Sequence, residues 1–288
     1  MGLIENVLFP VDFSPSSIAM AAYVKRAAAI FHAKVSLIHV VDPASYSGLE
    51  LYTRSLYEVA DEHLDVGRER LDSFLAKEFP AAECTRIVVA GDPAAQIAQV
   101  AREGGFGMIV MPTHAGYFRQ MLLGSTTAKV LNDAECPVLT SHHAQTIAPR
   151  PIEHREWLCA TGLGPHSARV LRFAKEAAAA TQAKLTILHA VQSADKSAPI
   201  QLDLEEELQS AEQRAAGLRI AELQQQAGLE APVRMATGSI KEALLEAARR
   251  SDADVLIIGR NPHPGASGRL RDLTYAMVRD SPFPVLSI

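Results

Sequence analysis

The sequence is poor in the residues that would tie it to several functional classes. Three cysteines, Cys84, Cys136 and Cys159, are spread over 288 residues, odd in number and without a C-x-x-C pair. Neither a disulfide framework nor a cysteine-based zinc site fits that pattern, and reduced thiols in or near strands are expected. Basic residues are outnumbered, 28 Lys and Arg against 33 Asp and Glu, for a formal net charge of −5. That balance argues against a nucleic-acid partner or an anionic-membrane surface. No apolar run approaches the ~18 residues that a membrane-spanning helix needs. The opening "MGLIENVLFPVD" has neither the basic nor the apolar region of a signal peptide, so a cytoplasmic location is expected. An HExxH motif, a Ser–His–Asp order and paired catalytic carboxylates are all missing, and no catalytic residue is assigned.

What the chain does contain, it contains twice. "VLFPVDFSPSSIAMAAYVKRAAAIFHAKVSLIHVVD" aligns without a gap on "WLCATGLGPHSARVLRFAKEAAAATQAKLTILHAVQ" at an offset of 150. Pro15 meets Pro165, Ser17 meets Ser167, and His39 meets His189. Further along the offset becomes 147, where Gly91 meets Gly238 and "CPVLTS" meets "FPVLSI". A period this long predicts two domains of one fold rather than a solenoid. The expected boundaries are 1–143 and 155–288, joined by a proline-containing linker at 144–154.

Each half alternates apolar strands with helices. In the first, "LIENVLFPV" is a strand, and Ser14 with Pro15 opens a helix that runs to about Phe31. "KVSLIHVV" is a strand, and a long helix is expected from Leu56 to Phe79, stopped by Pro80. "TRIVVA" follows, then a helix opened by Asp92-Pro93 and closed by Gly104-Gly105. "GMIVMP", a helix in "LLGSTTAKVLNDA" and a last strand "CPVLTS" complete the half. Near-continuous apolar strands separated by helices predict an α/β fold, an open and mostly parallel five-stranded sheet in each half with helices on both faces. In the long helix of the second half, Leu204, Leu208, Ala211, Ala215 and Leu218 form one stripe, expected to face the core.

Ligands of such sheets bind beyond the carboxyl ends of the strands, where helix N-termini present free N–H groups. Asp12, the Val40–Asp42 strand end, the Met111–Gly116 segment and the Gly124-Ser125-Thr126 helix start converge there. Gly124 admits a close backbone approach, and Ser125 and Thr126 offer hydroxyls to phosphate oxygens. The first turn of that helix contains no acidic residue, so its dipole is open to an anion. In the second half Gly162 stands where Asp12 was, and Arg271 and Asp272 stand against Gly124 and Ser125. An Asp272 cap would put its own carboxylate in the place of a phosphate, so this copy is expected to have lost the site. His39 and His189 read as packed structural histidines, and His142, His143 and His154 as an exposed tract in or beside the linker.

The segments "PVDFSPSS", "LIHVVDP", "AGDPAAQI", "IVMPTHAG", "LLGSTTAKVL" and "CPVLT" occur in order across the first half. With the duplication, the chain resembles a tandem universal stress protein. That resemblance implies a Rossmann-like, adenine-nucleotide α-hydrolase-like fold and an ATP site, with ADP or AMP as related occupants. Carried over, Pro10, Val11 and Asp12 match the strand-end element, with Asp12 beside the ribose, the triphosphate and a Mg2+ ion. Val40 matches the adenine contact, Met111 the residue before the phosphate loop, and Gly124, Ser125 and Thr126 its far end.

The family loop reads G-x-x-G-x9-G-[ST]. Here Pro112 and Ala115 stand at its first two glycines, with His114 between them and Gly116 just after. The second half restores the first of these glycines as Gly259. The resemblance also implies a homodimer, paired through the final strands, and unidentified protein partners. The leading expectation is a nucleotide-binding stress-response protein whose ligand state biases its partners or assembly, hydrolysing ATP slowly at most. The alternative is a nucleotide-free dimeric scaffold of the same fold; an active hydrolase of the wider group ranks third.

Overall fold

The computed structural model describes residues 2–45, 55–113, 123–142, 144, 146–149, 155–192, 202–260 and 268–288. The chain divides into two compact units, Met1–Ile152 and Glu153–Ile288. The first contains β1 (Asn6–Pro10), α1 (Pro15–Phe31), β2 (Lys34–Val41), α2 (Leu56–Ser73), β3 (Cys84–Ala90), α3 (Pro93–Glu103), β4 (Met108–Pro112), α4 (Ser125–Asp133) and β5 (Val138–Ser141). The second repeats the order with β6 (Glu156–Ala160), α5 (Ser167–Thr181), β7 (Lys184–Val191), α6 (Leu202–Ala227), β8 (Val233–Thr237), α7 (Ile240–Arg250), β9 (Val255–Ile258), α8 (Gly268–Asp280) and β10 (Val285–Ser287).

Within the first unit the strands lie parallel in the order β3-β2-β1-β4-β5, and within the second in the order β8-β7-β6-β9-β10. The order of strand addition reverses at β1, where β4 is added on the side away from β2, and at β6, where β9 is added on the side away from β7. Right-handed crossovers then place helices on both faces of each sheet. The central strands are accordingly apolar on both sides: Val7, Leu8, Phe9, Met108, Ile109 and Val110 are fully buried. Each such side chain contributes about 1.5–3 kcal/mol of transfer free energy.

The duplication extends to the backbone's strained positions. Phe13 and Leu163 are left-handed with φ of 62° and 58°, and His32 and Gln182 both have φ of 55°. Gly91 and Gly238 have φ of 146° and 132°, and Gly105 and Asp252 have 62° and 51°. These pairs fall at the offsets of 150 and then 147 read from the sequence. A left-handed non-glycine residue costs roughly 1 kcal/mol, so its retention in both copies marks turns that the fold requires.

Local signals explain most helix ends. Ser14 caps α1 by accepting from Ser17 N–H at 3.2 Å, and Asp92 caps α3 by accepting from Ala95 N–H at 3.0 Å. Ser55 and Glu58 form a reciprocal capping box on α2. The end of α2 differs from expectation. The helix stops at Ser73, well before Pro80, and Leu75 takes a left-handed φ of 52°. The Arg86 guanidinium from β3 explains the early stop. It donates to the carbonyls of Leu71, Phe74 and Phe79, the last two at 2.9 Å, and so satisfies the acceptors of the helix end and the turn after it.

The stripe on α6 also departs from expectation. The helix buries Ala216, Ile220, Leu223 and Ala227, whereas Leu208, Ala211, Ala215 and Leu218 are exposed. The Leu204 side chain lies outside the described residues. Both sets have helical spacing, so periodicity alone did not separate the inner face from the outer one. Cys84 and Cys159 are buried as expected, and burial raises both thiol pKa values, that of Cys159 to about 12. Among the described residues no helix is long and apolar enough to cross a membrane.

Candidate functional site

The carboxyl ends of β1, β2 and β4 meet the first turns of α3 and α4 around one cavity of about 230 Å³. Pro10, Val11, Asp12, Val40, Met111, Pro112, Gly124, Ser125 and Thr126, all named from the sequence, line it together. His114, Ala115 and Gly116 lie outside the described residues. Ser17, Ile38, His39, Pro93, Ile97 and Thr127 also line the cavity and were not singled out as site residues. The pairing of Ser17 with Ser167 and the "AGDPAAQI" segment, which carries Pro93 and Ile97, were signals for three of these positions. Only the crossover of α3 brings Ile97 to the cavity that Val40 lines.

Three local devices shape the polar side. Asp12 is exposed just past β1, and its Oδ1 accepts from Ser17 Oγ at 2.6 Å and from Ser14 N–H at 3.0 Å. The Asp12 N–H donates in turn to Ser17 Oγ at 3.2 Å. The carboxylate is therefore fixed by the first turn of α1. Among the described residues both of its donors fall on Oδ1, and Oδ2 faces none.

The second device is the start of α4. Gly124 occupies the N-cap with φ −60° and ψ 140°, and no side chain caps the helix. Its first turn contains no acidic residue. Gly124 N–H donates to Thr113 O at 2.8 Å, and Thr127 Oγ1 donates to Pro112 O at 3.0 Å. These two bonds clamp the helix start to the end of β4. Thr127 is spent on that clamp, while Ser125 is exposed and Thr126 half-buried. The positive end of the dipole and the first-turn N–H groups are thus held at the cavity. Lys129 stands slightly further along and pairs with Asp92 at 2.9 Å. The Ala95 N–H, and then Lys129, hold the Asp92 carboxyl below the usual carboxylate range.

The third device is His39. Its Nδ1 lies 2.9 Å from Val11 O, to which the neutral ring donates, and His189 repeats the contact with Thr161 O at 2.7 Å. Burial lowers the His39 pKa and keeps the ring neutral. Each histidine ties the second strand to the exit of the first, the structural role expected of both. Around it Phe13 packs at 4.3 Å from the His39 ring and 5.1 Å from Phe74, with the Arg70 guanidinium 4.2 Å above its face. That packing holds the left-handed Phe13 turn. His142 departs from expectation: it is half-buried directly after β5, with Nδ1 3.2 Å from Thr113 Oγ1. It ties the residue after β5 to the residue after β4, while His143 and His154 lie outside the described residues.

The second unit has a cavity of about 290 Å³ at the equivalent switch point, lined by Gly162, Ser167, His189, Gly259 and Arg260 among others. Gly162 supplies no carboxylate. Asp272 is not a cap, because α8 begins at Gly268 and Asp272 falls inside the helix. Without a Gly-Ser-Thr start the second copy winds four residues earlier, so its helix end and that of the first are not equivalent.

A doubly wound α/β unit with an open helix N-terminus at its strand switch point is a ligand-binding architecture of the Rossmann-like class. The universal stress protein family model matches residues 4–142 and again 155–288, and the chain belongs to that family as a tandem of two domains. It is 31% identical over 141 residues to universal stress protein MJ0531 of Methanocaldococcus jannaschii, covering 48% of this chain and 81% of that one. It is 30% identical over 136 residues to universal stress protein A homolog 2 of Coxiella burnetii, covering 47% and 92%. A universal stress protein from Archaeoglobus fulgidus shares the fold over 98% of this chain and 97% of its own, with TM-score 0.70 and 23% identity.

Proposed function

We propose that the first unit binds ATP, with ADP or AMP as alternative occupants, and that its ligand state biases the protein's contacts with itself or with other proteins in a cytoplasmic stress response. The observation that carries this reading is the uncapped start of α4, clamped to β4 and facing Asp12 across one cavity. The N–H groups and hydroxyls of Ser125 and Thr126 suit phosphate oxygens. Val40 and Ile97 supply an apolar wall for the base, with the Val40 backbone for its polar edge. Asp12 is the chain's contribution to Mg2+, through the oxygen that the described residues leave unengaged; Mg2+ bound there would offset phosphate charge. His114, Ala115 and Gly116 are assigned to the phosphate loop on the sequence pattern alone. Residues 144–154 serve as the linker between the two domains, and no residue is assigned a catalytic role beyond slow hydrolysis.

The test is to denature the purified chain and analyse the released small molecules. ATP, ADP or AMP recovered from the wild type and missing from an Asp12→Ala/Gly124→Asp variant supports the reading. Gly124 already has N-cap dihedrals, so an aspartate there caps α4 with its own carboxylate and competes with phosphate while the helix persists. No released nucleotide, together with no calorimetric signal at millimolar ATP–Mg, overturns it and leaves a nucleotide-free dimeric scaffold.

A further inference from the structure

The cavity of the second unit keeps the place of the first one and changes its chemistry. Val170, Ile240, Leu244, Ile258, Leu273 and Met277 give it an aliphatic wall. Leu273 stands where Thr126 does, so a hydroxyl of the first cavity becomes a hydrocarbon here. Among the described residues α8 meets the cavity through Leu273, Thr274 and Met277, past its first turn, and not through a Gly-Ser-Thr start. No aspartate or glutamate lines the cavity among those residues, whereas Asp12 lines that of the first unit.

Three features suited to a single negative charge reach the same cavity. Thr161 stands where Val11 does and is 7% exposed. Its N–H donates to Leu188 O at 3.0 Å and its carbonyl accepts from His189 Nδ1 at 2.7 Å, but its Oγ1 has no partner among the described residues. A hydroxyl buried without a partner destabilises the fold, and a ligand oxygen beside it would offset that cost. Arg260, 6% exposed, brings a permanent positive charge. A guanidinium has five N–H donors, so a contact within the chain does not exhaust it. The third feature is the start of α5, whose residues His166 and Ser167 line the cavity. Its N-cap His166 makes no side-chain cap bond and its first turn contains no acidic residue, whereas Ser14 caps the matching α1. The positive end of the α5 dipole is therefore left to an anion.

We propose that the second unit binds a small monocarboxylate with an aliphatic body. Its head is held by Thr161, Arg260 and the start of α5, and its chain lies on the aliphatic wall. A dry apolar cavity of ~150 Å³ admits a benzene ring, so one of about 290 Å³ admits a chain of about eight carbons. One guanidinium and one helix end match one negative charge, which separates this ligand from a nucleoside triphosphate. The site belongs to the other unit from the nucleotide reading and does not depend on it.

Calorimetry of the full chain with octanoate tests this, with 1-octanol and octylammonium as neutral and cationic controls. The wild type is expected to bind one octanoate per chain with Kd of about 1 mM or tighter, and both controls at least about tenfold more weakly. Gly162→Asp and Arg260→Gln should each raise the octanoate Kd about tenfold, and Thr161→Val, which copies Val11, about threefold. A Cβ at Gly162 has no atom within 4 Å, so Gly162→Asp carries the test even where Arg260→Gln melts early. The Asp12→Ala/Gly124→Asp variant is expected to bind octanoate as the wild type does, which separates this site's failure from that of the nucleotide reading. Absence of saturable heat up to about 10 mM octanoate would overturn the proposal. So would equal affinity for octanoate and 1-octanol, unchanged binding in Gly162→Asp, or displacement of octanoate by ATP–Mg from the Asp12→Ala/Gly124→Asp variant.

Discussion

The two units place a cavity at the same strand switch point, but the walls differ in charge and in what is held there. In the first, Asp12 is locked by Ser14 and Ser17 opposite an uncapped helix start. In the second, Gly162 removes the carboxylate, α8 starts four residues earlier, and buried Arg260 stands where Thr113 does. The shared parts are the turns, the strand order and the histidine tie to the first strand. Duplication has therefore kept what the sheet needs and let the polar wall drift. A backbone conformation is fixed by many neighbours at once, whereas a site carboxylate rests on two hydrogen bonds and on its ligand.

Moving residues of the second unit into the first tests that division, and the largest effect is expected away from the site. Register places Arg86 against Leu37 and Val233 against Ile187, so Arg86→Val imports the second unit's residue. It strands three carbonyls at the end of α2 and should cost about 2–4 kcal/mol, read as a lower urea midpoint. If the midpoint holds, the end of α2 is set by its own sequence instead.

Asp12→Gly, copying Gly162, should weaken ATP–Mg binding about tenfold in calorimetry, close to 1.4 kcal/mol. If the carboxylate acts through the cation, as proposed, the loss should shrink when the metal is chelated. An equal loss with and without metal would assign Asp12 to the turn alone. Gly105→Asp, copying Asp252, has open space for the new side chain and pays only for its left-handed φ of 62°. A destabilisation of about 1 kcal/mol is expected, visible in thermal melting with nucleotide release unchanged.

The smallest effect belongs to His39. Burial lowers its folded pKa below the unfolded value of about 6.5, so the unfolded chain binds the proton more readily. Its contribution is complete above that value and falls away as pH drops towards the folded pKa. Urea midpoints at pH 7.5 and 5.5 should therefore fall less in His39→Gln than in the wild type.

Much of this was legible before any coordinates. Ser14-Pro15 and Asp92-Pro93 carry their helix starts in side-chain chemistry that acts within three residues. Gly124-Ser125-Thr126 is equally local, and the parallel-sheet reading put the Asp12 and Val40–Asp42 strand ends on the same edge. What stayed hidden depends on partners far along the chain. The shortened α2 is set by an arginine from the next strand, and His142 meets Thr113 because β5 ends beside β4. Asp272 read as a cap because alignment gives position but not where a helix first winds.

Helix α6 marks the boundary most clearly. By itself the sequence determined that the segment carrying Leu204 to Leu218 would be helical and apolar at three-and-four spacing, since propensity and periodicity are properties of the segment. The helix contains two such stripes. Which one faces the core was decided only by tertiary structure, through packing against α5 and β7, because burial is a property of neighbours.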